Sequence, residues 1–158
     1  MPEINSFRDE FSFLSNFSLH PVTVVIHGVT YTFPSNENFF QAMKSNSPLI
    51  WTEFQHITPY QSKKRSKELV VREDWDAVKV GFMQLGLDIK FNNPEARALL
   101  LATGDAELVE GNYWGDIFWG KSTVTQFFKR HGRIIQAGEG ENWLGRLLMQ
   151  VRANKKEN

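Results

Sequence analysis

The residues of this chain best placed to do chemistry are three carboxylates, Glu37, Glu110 and Asp116, each set near aromatic rings. Glu37 belongs to Phe33-Pro34-Ser35-Asn36-Glu37-Asn38-Phe39-Phe40-Gln41-Ala42-Met43-Lys44, where an acid, an amide and an amine stand four and then three residues apart. On an α-helix, at roughly 100° per residue, Glu37, Gln41 and Lys44 fall within about 60° of one another, and Phe39, Phe40 and Met43 occupy a separate apolar arc. Such a row can hold a proton-transfer group beside an amine, or it can be a solvated stripe with Gln41 between opposite charges. Asp116 lies in Gly111-Asn112-Tyr113-Trp114-Gly115-Asp116-Ile117-Phe118-Trp119-Gly120, flanked by Trp114, Phe118 and Trp119. A charge in apolar company is costly, so Asp116 either accepts loop amides or is chemically employed.

Other chemistries are absent. The chain has no cysteine, which removes disulfides, thiolate nucleophiles and cysteine zinc sites. It contains no phosphate-cradling glycine loop, no His-Glu-x-x-His and no nucleophile elbow. His20, His27, His56 and His131 fall in different elements, so no metal site and no cofactor are expected, and His27 reads as a turn residue. Net charge is zero, so nucleic-acid or phosphate binding has to come from a local patch. The one basic cluster, Lys63-Lys64-Arg65-Ser66-Lys67, is either a solvated helix face or a phosphate holder. Thirteen phenylalanines and five tryptophans, several in polar surroundings, point to stacking surfaces. The start Met1-Pro2-Glu3-Ile4-Asn5 lacks a basic leader and an apolar run, and no segment is long enough to span a membrane. A soluble cytoplasmic protein is the expectation.

The elements that position these groups follow from periodicity and punctuation. Pro34, with Ser35 or Asn36 as cap, starts a helix over about residues 36–45. Val22 to Ile26 and Val29 to Phe33, joined by His27-Gly28, form a β-hairpin that delivers the chain to it. Further helices are expected over 49–56, from near Pro59, over 74–90 and over 95–102. In the 74–90 helix, Asp74 is the expected cap and Trp75, Val78, Phe82, Leu85 and Ile89 the core stripe. Residues 121–141 read as an irregular excursion with a short strand pair, and Asn142 starts a last helix carrying Trp143, Leu144, Leu147, Leu148 and Val151. A length of 158 residues suits one domain, so the expected fold is a single compact α+β domain over 1–158, mainly helical, with a small N-terminal β-hairpin.

These residues also match an ordered set of motifs: Phe13-Leu14-Ser15-Asn16-Phe17, Pro34-Ser35-x-Glu37-x-Phe39-Phe40-Gln41-Ala42-x-Lys44, Arg72-x-x-Trp75, Lys90-Phe91, Leu99-Leu100-Leu101-Ala102-Thr103, Leu108-Val109-Glu110, Asp116-x-x-Trp119-Gly120, and Asn142-x-Leu144-Gly145-x-Leu147-Leu148-Met149-x-x-Arg152. In this order and spacing the chain resembles the NADAR, or YbiA-like, family over nearly its whole length. The resemblance implies a mainly helical N-glycosidase that hydrolyses the bond between a ribose C1 and a nitrogen. Two substrate classes come with it: phosphorylated ribosylamino-pyrimidine intermediates of riboflavin synthesis, and ADP-ribose attached to guanine bases of nucleic acid. By motif position, the functional acid falls on Glu37, the helix lysine on Lys44, and the loop acid on Asp116 with Trp119 beside it.

Those assignments suit the reaction. Cleavage builds positive charge on the sugar, so one carboxylate near C1 stabilises it or activates water while a second group protonates the leaving nitrogen. Glu37 and Asp116 can divide that labour, and Lys44 either traps an opened ribose as a Schiff base or anchors a phosphate. Trp75, Trp114 and Trp119 can stack on the base, Arg72 with Lys63 to Lys67 can hold phosphates, and Ser15, Asn16, Phe17, Gln41 and Asn142 complete the substrate-binding set. The chain departs from the family pattern at Asn38, where a ring is expected, and over 121–141, which is longer than the usual glycine-rich connection. The rival reading is a non-catalytic binder of ADP-ribose or nucleic acid that uses Lys63 to Lys67 and the aromatic loop.

Overall fold

The strands β2 (Val22–Ile26) and β3 (Val29–Phe33) pair antiparallel from Val22 against Phe33 to Ile26 against Val29. The connection needs two residues with positive φ, and His27 (49°) and Gly28 (79°) supply them. Alternation then turns Val22, Tyr31 and Phe33 inward. The structure is a computed structural model that describes residues 2–157. Met1 and Asn158 lie outside the described residues, so the reading of the first residue as part of a leaderless start, and the outer limits of the 1–158 domain, rest on sequence alone.

Helix α1 (Asn36–Ala42) begins where Ser35 accepts the Asn38 amide, as a cap should. It ends at Ala42 rather than near 45, because the amides of Lys44 and Ser45 bond three residues back and tighten the last turn. Every residue of α1 is buried. It touches α2 (Pro48–Phe54), α3 (Pro59–Ser66) and α4 (Trp75–Lys90), so it is the hub of the fold. Its two apolar neighbours point into different cores. Phe39 joins Phe33, Trp51 and Phe54, and Phe40 joins Leu87, Leu100 and Leu148. Asn38 serves the scaffold: the side-chain amide donates to the carbonyls of Phe54 (3.0 Å) and Ile57 (2.8 Å), tying α1 to the end of α2.

In α4 the buried line is Met83, Gly86, Leu87 and Lys90, which corrects the expected stripe. Trp75 and Phe82 are half-buried and pack against both cores, but Leu85 faces solvent. The reason is a long-range one: α4 lies between α1 and α6 (Trp143–Lys156), and Gly86 is where Asn36 and Phe39 of α1 come too close for any side chain. Asp74 is not a side-chain cap either. Both its carboxylate oxygens accept from Arg72, at 2.6 and 3.1 Å.

Helix α5 (Pro94–Ala102) is capped by Asn93. Short strands complete the fold: β4 (Glu107–Leu108) runs parallel to β1 (Glu3–Ile4), β5 (Gly111–Asn112) parallel to β6 (Lys121–Ser122), and β7 (Gln126–Phe128) antiparallel to β8 (Arg133–Ile135). The excursion over 121–141 thus carries the strand pair expected of it. The fold is mainly helical α+β with a small N-terminal hairpin, and no described helix is long and apolar enough to cross a membrane.

Candidate active site

Because Phe39 and Phe40 anchor α1 in the two cores, its third face is left to line a cavity of about 270 Å³ that takes in Glu37, Gln41 and Lys44. Asp116 and Glu110 line the same cavity, so the three carboxylates and the amine meet in one place. Ser15, Asn16 and Phe17 form one wall, and Trp75, Trp114 and Trp119 contribute rings.

Glu37 is only 6% exposed. Its backbone amide donates to the Asn16 carbonyl (2.9 Å), and its Oε1 accepts from the Gln41 amide (3.2 Å). Burial pushes the Glu37 carboxyl above its ordinary value, opposed by the Gln41 hydrogen bond and by Lys63 and Lys44. Lys44 is pushed down by burial, with Glu37 opposing, and its Nζ stands 6.0 Å from the Trp75 ring centre. Gln41 Oε1 is buried without a partner among the described residues.

Asp116 is held by its own loop. Its Oδ1 accepts the amides of Phe118 (3.0 Å) and Trp119 (2.9 Å), and its backbone is gripped by Asn112 through Asp116 N–H (2.9 Å) and C=O (2.8 Å). The loop-holding reading is therefore right for one oxygen, and Oδ2 makes no hydrogen bond among the described residues. The Glu110 carboxyl is pushed up to about 7 by burial and by Asp116 and Glu37, against Lys63 and Arg8.

The wall at Ser15–Phe17 is pinned from behind. Asn16 Oδ1 accepts from Asn36 (2.9 Å), and the fully buried Lys90 donates to the Ser15 carbonyl (2.8 Å). Burial alone pushes Lys90 down to about 7. At the mouth, Lys63 Nζ stands 5.8 Å from the Phe17 ring centre and 5.4 Å from that of Trp114. Those rings are 37% and 41% exposed, so a cation sits between two accessible stacking faces.

Two expected site residues are not at this cavity. Arg72 pairs with Asp74 and lines a separate open groove with Ser45–Ser47, while its amide donates to the Lys44 carbonyl (2.7 Å) and holds the end of the α1 turn. Asn142 is buried in left-handed geometry (φ 54°), donating to Leu108 O (2.9 Å) and accepting from Glu110 N (3.0 Å), so it positions a site residue from behind. Of the basic cluster only Lys63 reaches the cavity, and Arg65 pairs with Glu53 and Glu68.

Sequence reasoning missed Phe40, Lys79, Met83, Arg130 and Leu144 in the lining. Lys79 follows Trp75 by one helical turn, a signal that was available. Arg130 had none. It arrives on the β7–β8 hairpin, where it donates to Trp114 O (3.3 Å), His131 Nε2 contacts Gly115 O (2.8 Å) and Phe128 packs so closely on Gly115 that no Cβ would fit. Among the described residues, no group of three or more His, Asp or Glu side chains is arranged to hold a metal ion.

The NADAR domain matches residues 5–154 of this chain. The chain is 35% identical over 153 residues to the N-glycosidase YbiA of Escherichia coli (strain K12), covering 93% of this chain and 83% of that protein. It is 31% identical over 160 residues to the chloroplastic riboflavin biosynthesis protein PYRR of Zea mays, covering 92% of this chain but 23% of that protein. The NMR structure of the E. coli protein YbiA superposes with a TM-score of 0.75 at 30% identity, over 99% of this chain and 88% of that one. On sequence, motif order and fold together, the chain belongs to the NADAR domain family.

Proposed function

We propose that this protein hydrolyses the bond between a ribose C1 and a nitrogen in a phosphorylated N-riboside, the leaving group being either a guanine of nucleic acid that carries ADP-ribose or the amine of a ribosylamino-pyrimidine phosphate. The coarser statement, a hydrolase acting on N-glycosyl bonds, rests on its family and on its N-glycosidase relatives. The observation that carries the finer one is the convergence of Glu37, Lys44 and Asp116, from separate segments, on one cavity.

The chemistry fits that arrangement. As the C1 to nitrogen bond lengthens, positive charge grows on the sugar, and the Glu37 carboxylate beside it stabilises that charge or deprotonates the attacking water. Gln41 holds the Glu37 carboxylate in place through its amide N–H. Lys44, its ammonium form disfavoured by burial, anchors a phosphate or attacks C1 of an opened ribose as the free amine. A cavity of about 270 Å³ suits a ribosyl phosphate, with the rest of a larger substrate lying across Phe17, Trp114 and Lys63 at the mouth.

The cation between two exposed rings also supports the rival reading, a binder that leaves its ligand intact. Mass spectrometry after incubation with ADP-ribosylated guanine DNA and, separately, with a ribosylaminouracil phosphate, each with a chelator present, separates the two. Hydrolysis yields free ADP-ribose or ribose phosphate plus the unmodified base, whereas tight, salt-sensitive binding with both substrates recovered intact would favour the binder.

A further inference from the structure

Three carboxylates, Glu37, Glu110 and Asp116, share one small cavity, and like charges at such range do not all ionise together. Their surroundings divide them. Burial raises the Glu37 carboxyl too, but a hydrogen bond from Gln41 and the cations Lys63 and Lys44 oppose that rise. Asp116 has one oxygen committed to two loop amides. Glu110 has no hydrogen bond of that kind. Its carboxyl makes no hydrogen bond among the described residues, it is mostly buried, and the charged groups facing it are the anions Asp116 and Glu37 against the cations Lys63 and Arg8. Burial and the two anions outweigh the two cations and push the Glu110 carboxyl up to about 7, so it carries a proton for part of the time at neutral pH.

The backbone around it is fixed on both sides. Glu110 N–H donates to Asn142 Oδ1 (3.0 Å), and Glu110 C=O accepts from Lys121 (2.9 Å). Gly120 packs against that carbonyl so tightly that a Cβ would overlap it. A side chain on a backbone held this firmly is preorganised, and it points into the cavity without a protein partner.

From the shared cavity, the fixed backbone and the missing partner, we propose that Glu110 is a further catalytic residue, the acid that protonates the departing nitrogen. The assignment rests on the N-riboside hydrolase reading above. In the step, the C1 to nitrogen bond breaks with its electron pair going to nitrogen, and the carboxyl proton of Glu110 transfers to that nitrogen, leaving a carboxylate. Water adds its oxygen to C1 and gives a proton to Glu37. Exchange with solvent then returns a proton to Glu110 and removes one from Glu37, so the net change is substrate plus water to free base plus ribose phosphate.

The test compares Glu110→Gln with wild type on two substrates: an N-riboside phosphate whose base needs a proton to leave, and 4-nitrophenyl riboside 5-phosphate, whose phenolate does not. On the N-riboside, Glu110→Gln should lower kcat by about 100-fold or more, with KM within about threefold. Wild-type kcat should fall as pH rises through about 7, and Glu110→Gln should lose that limb. On the nitrophenyl substrate the variant should stay within about threefold of wild type, and Glu110→Asp, which keeps a carboxyl, should retain the alkaline limb even if Glu110→Gln folds poorly. Equal losses of Glu110→Gln on both substrates, or an unchanged profile on the N-riboside, would overturn the assignment and leave the hydrolase reading standing. A wild-type protein inactive on both substrates would overturn the two together.

Discussion

Helix α1 and the loop over residues 111–120 both place a carboxylate in the same cavity, and they do it in different ways. On α1, apolar neighbours fix the backbone by burial in two cores, so Gln41 keeps a buried oxygen without a partner and Lys44 keeps its amine free of any ion pair among the described residues. In the loop, Trp119 packs on the core and the carbonyls of Ile117, Phe118, Trp119 and Gly120 accept amides of residues 141–144, while polar side chains fix the turn around the acid: Asn112 grips Asp116, and Asp116 grips Phe118 and Trp119. The lesson is that a polar atom in this site is available for chemistry in proportion to how much of the local backbone is held by something else.

That contrast can be broken at several points. The largest effect is expected at Glu37→Gln, which should lower turnover by more than about 100-fold, about 2.7 kcal/mol of barrier, with little change in melting temperature. A loss within about threefold in a product-release assay would remove Glu37 from the chemistry. Next comes Asp116→Asn, which keeps an oxygen for the loop amides but removes the charge. If Oδ2 acts on substrate, activity falls about tenfold at unchanged stability, and if Asp116 only holds its loop, calorimetry and kinetics both stay near wild type. Lys63→Ala should raise KM several-fold and flatten the salt dependence of KM while kcat holds, since its ammonium sits at the mouth and not at the floor. The smallest effect concerns the wall. Lys90 is held near 7 in the fold against 10.5 in an open chain, so between those values the unfolded state binds more protons and this group makes stability rise with pH. Lys90→Met should remove that rise from a series of thermal melts between about pH 7 and pH 10.

How much of this was legible in the sequence follows the same division. The hairpin turn at His27-Gly28, the Ser35 cap and the helical row Glu37, Gln41, Lys44 are local, and each is found where spacing put it. The aromatic loop was recognisable as irregular and acidic, but the grip of Asn112 that holds it together does not show in a linear chain. Other roles are set by partners that spacing alone does not identify. Asp74 binds Arg72 instead of capping α4, and Arg72 is consumed by it. Asn142 holds Glu110 from 32 positions away, and Lys90 reaches Ser15 across 75. The stripe on α4 followed its large apolar residues, whereas the contact with α1 is set by the small one, Gly86.

The most direct measurement is a crystal structure of Glu37→Gln with an uncleaved phosphorylated N-riboside. The account predicts C1 within about 3.5 Å of the side chain at position 37, the leaving nitrogen facing Glu110, and the phosphate toward Lys63. A substrate seated instead in the open groove beside Arg72, or one whose ribose lies outside the cavity between α1 and the aromatic loop, would contradict it.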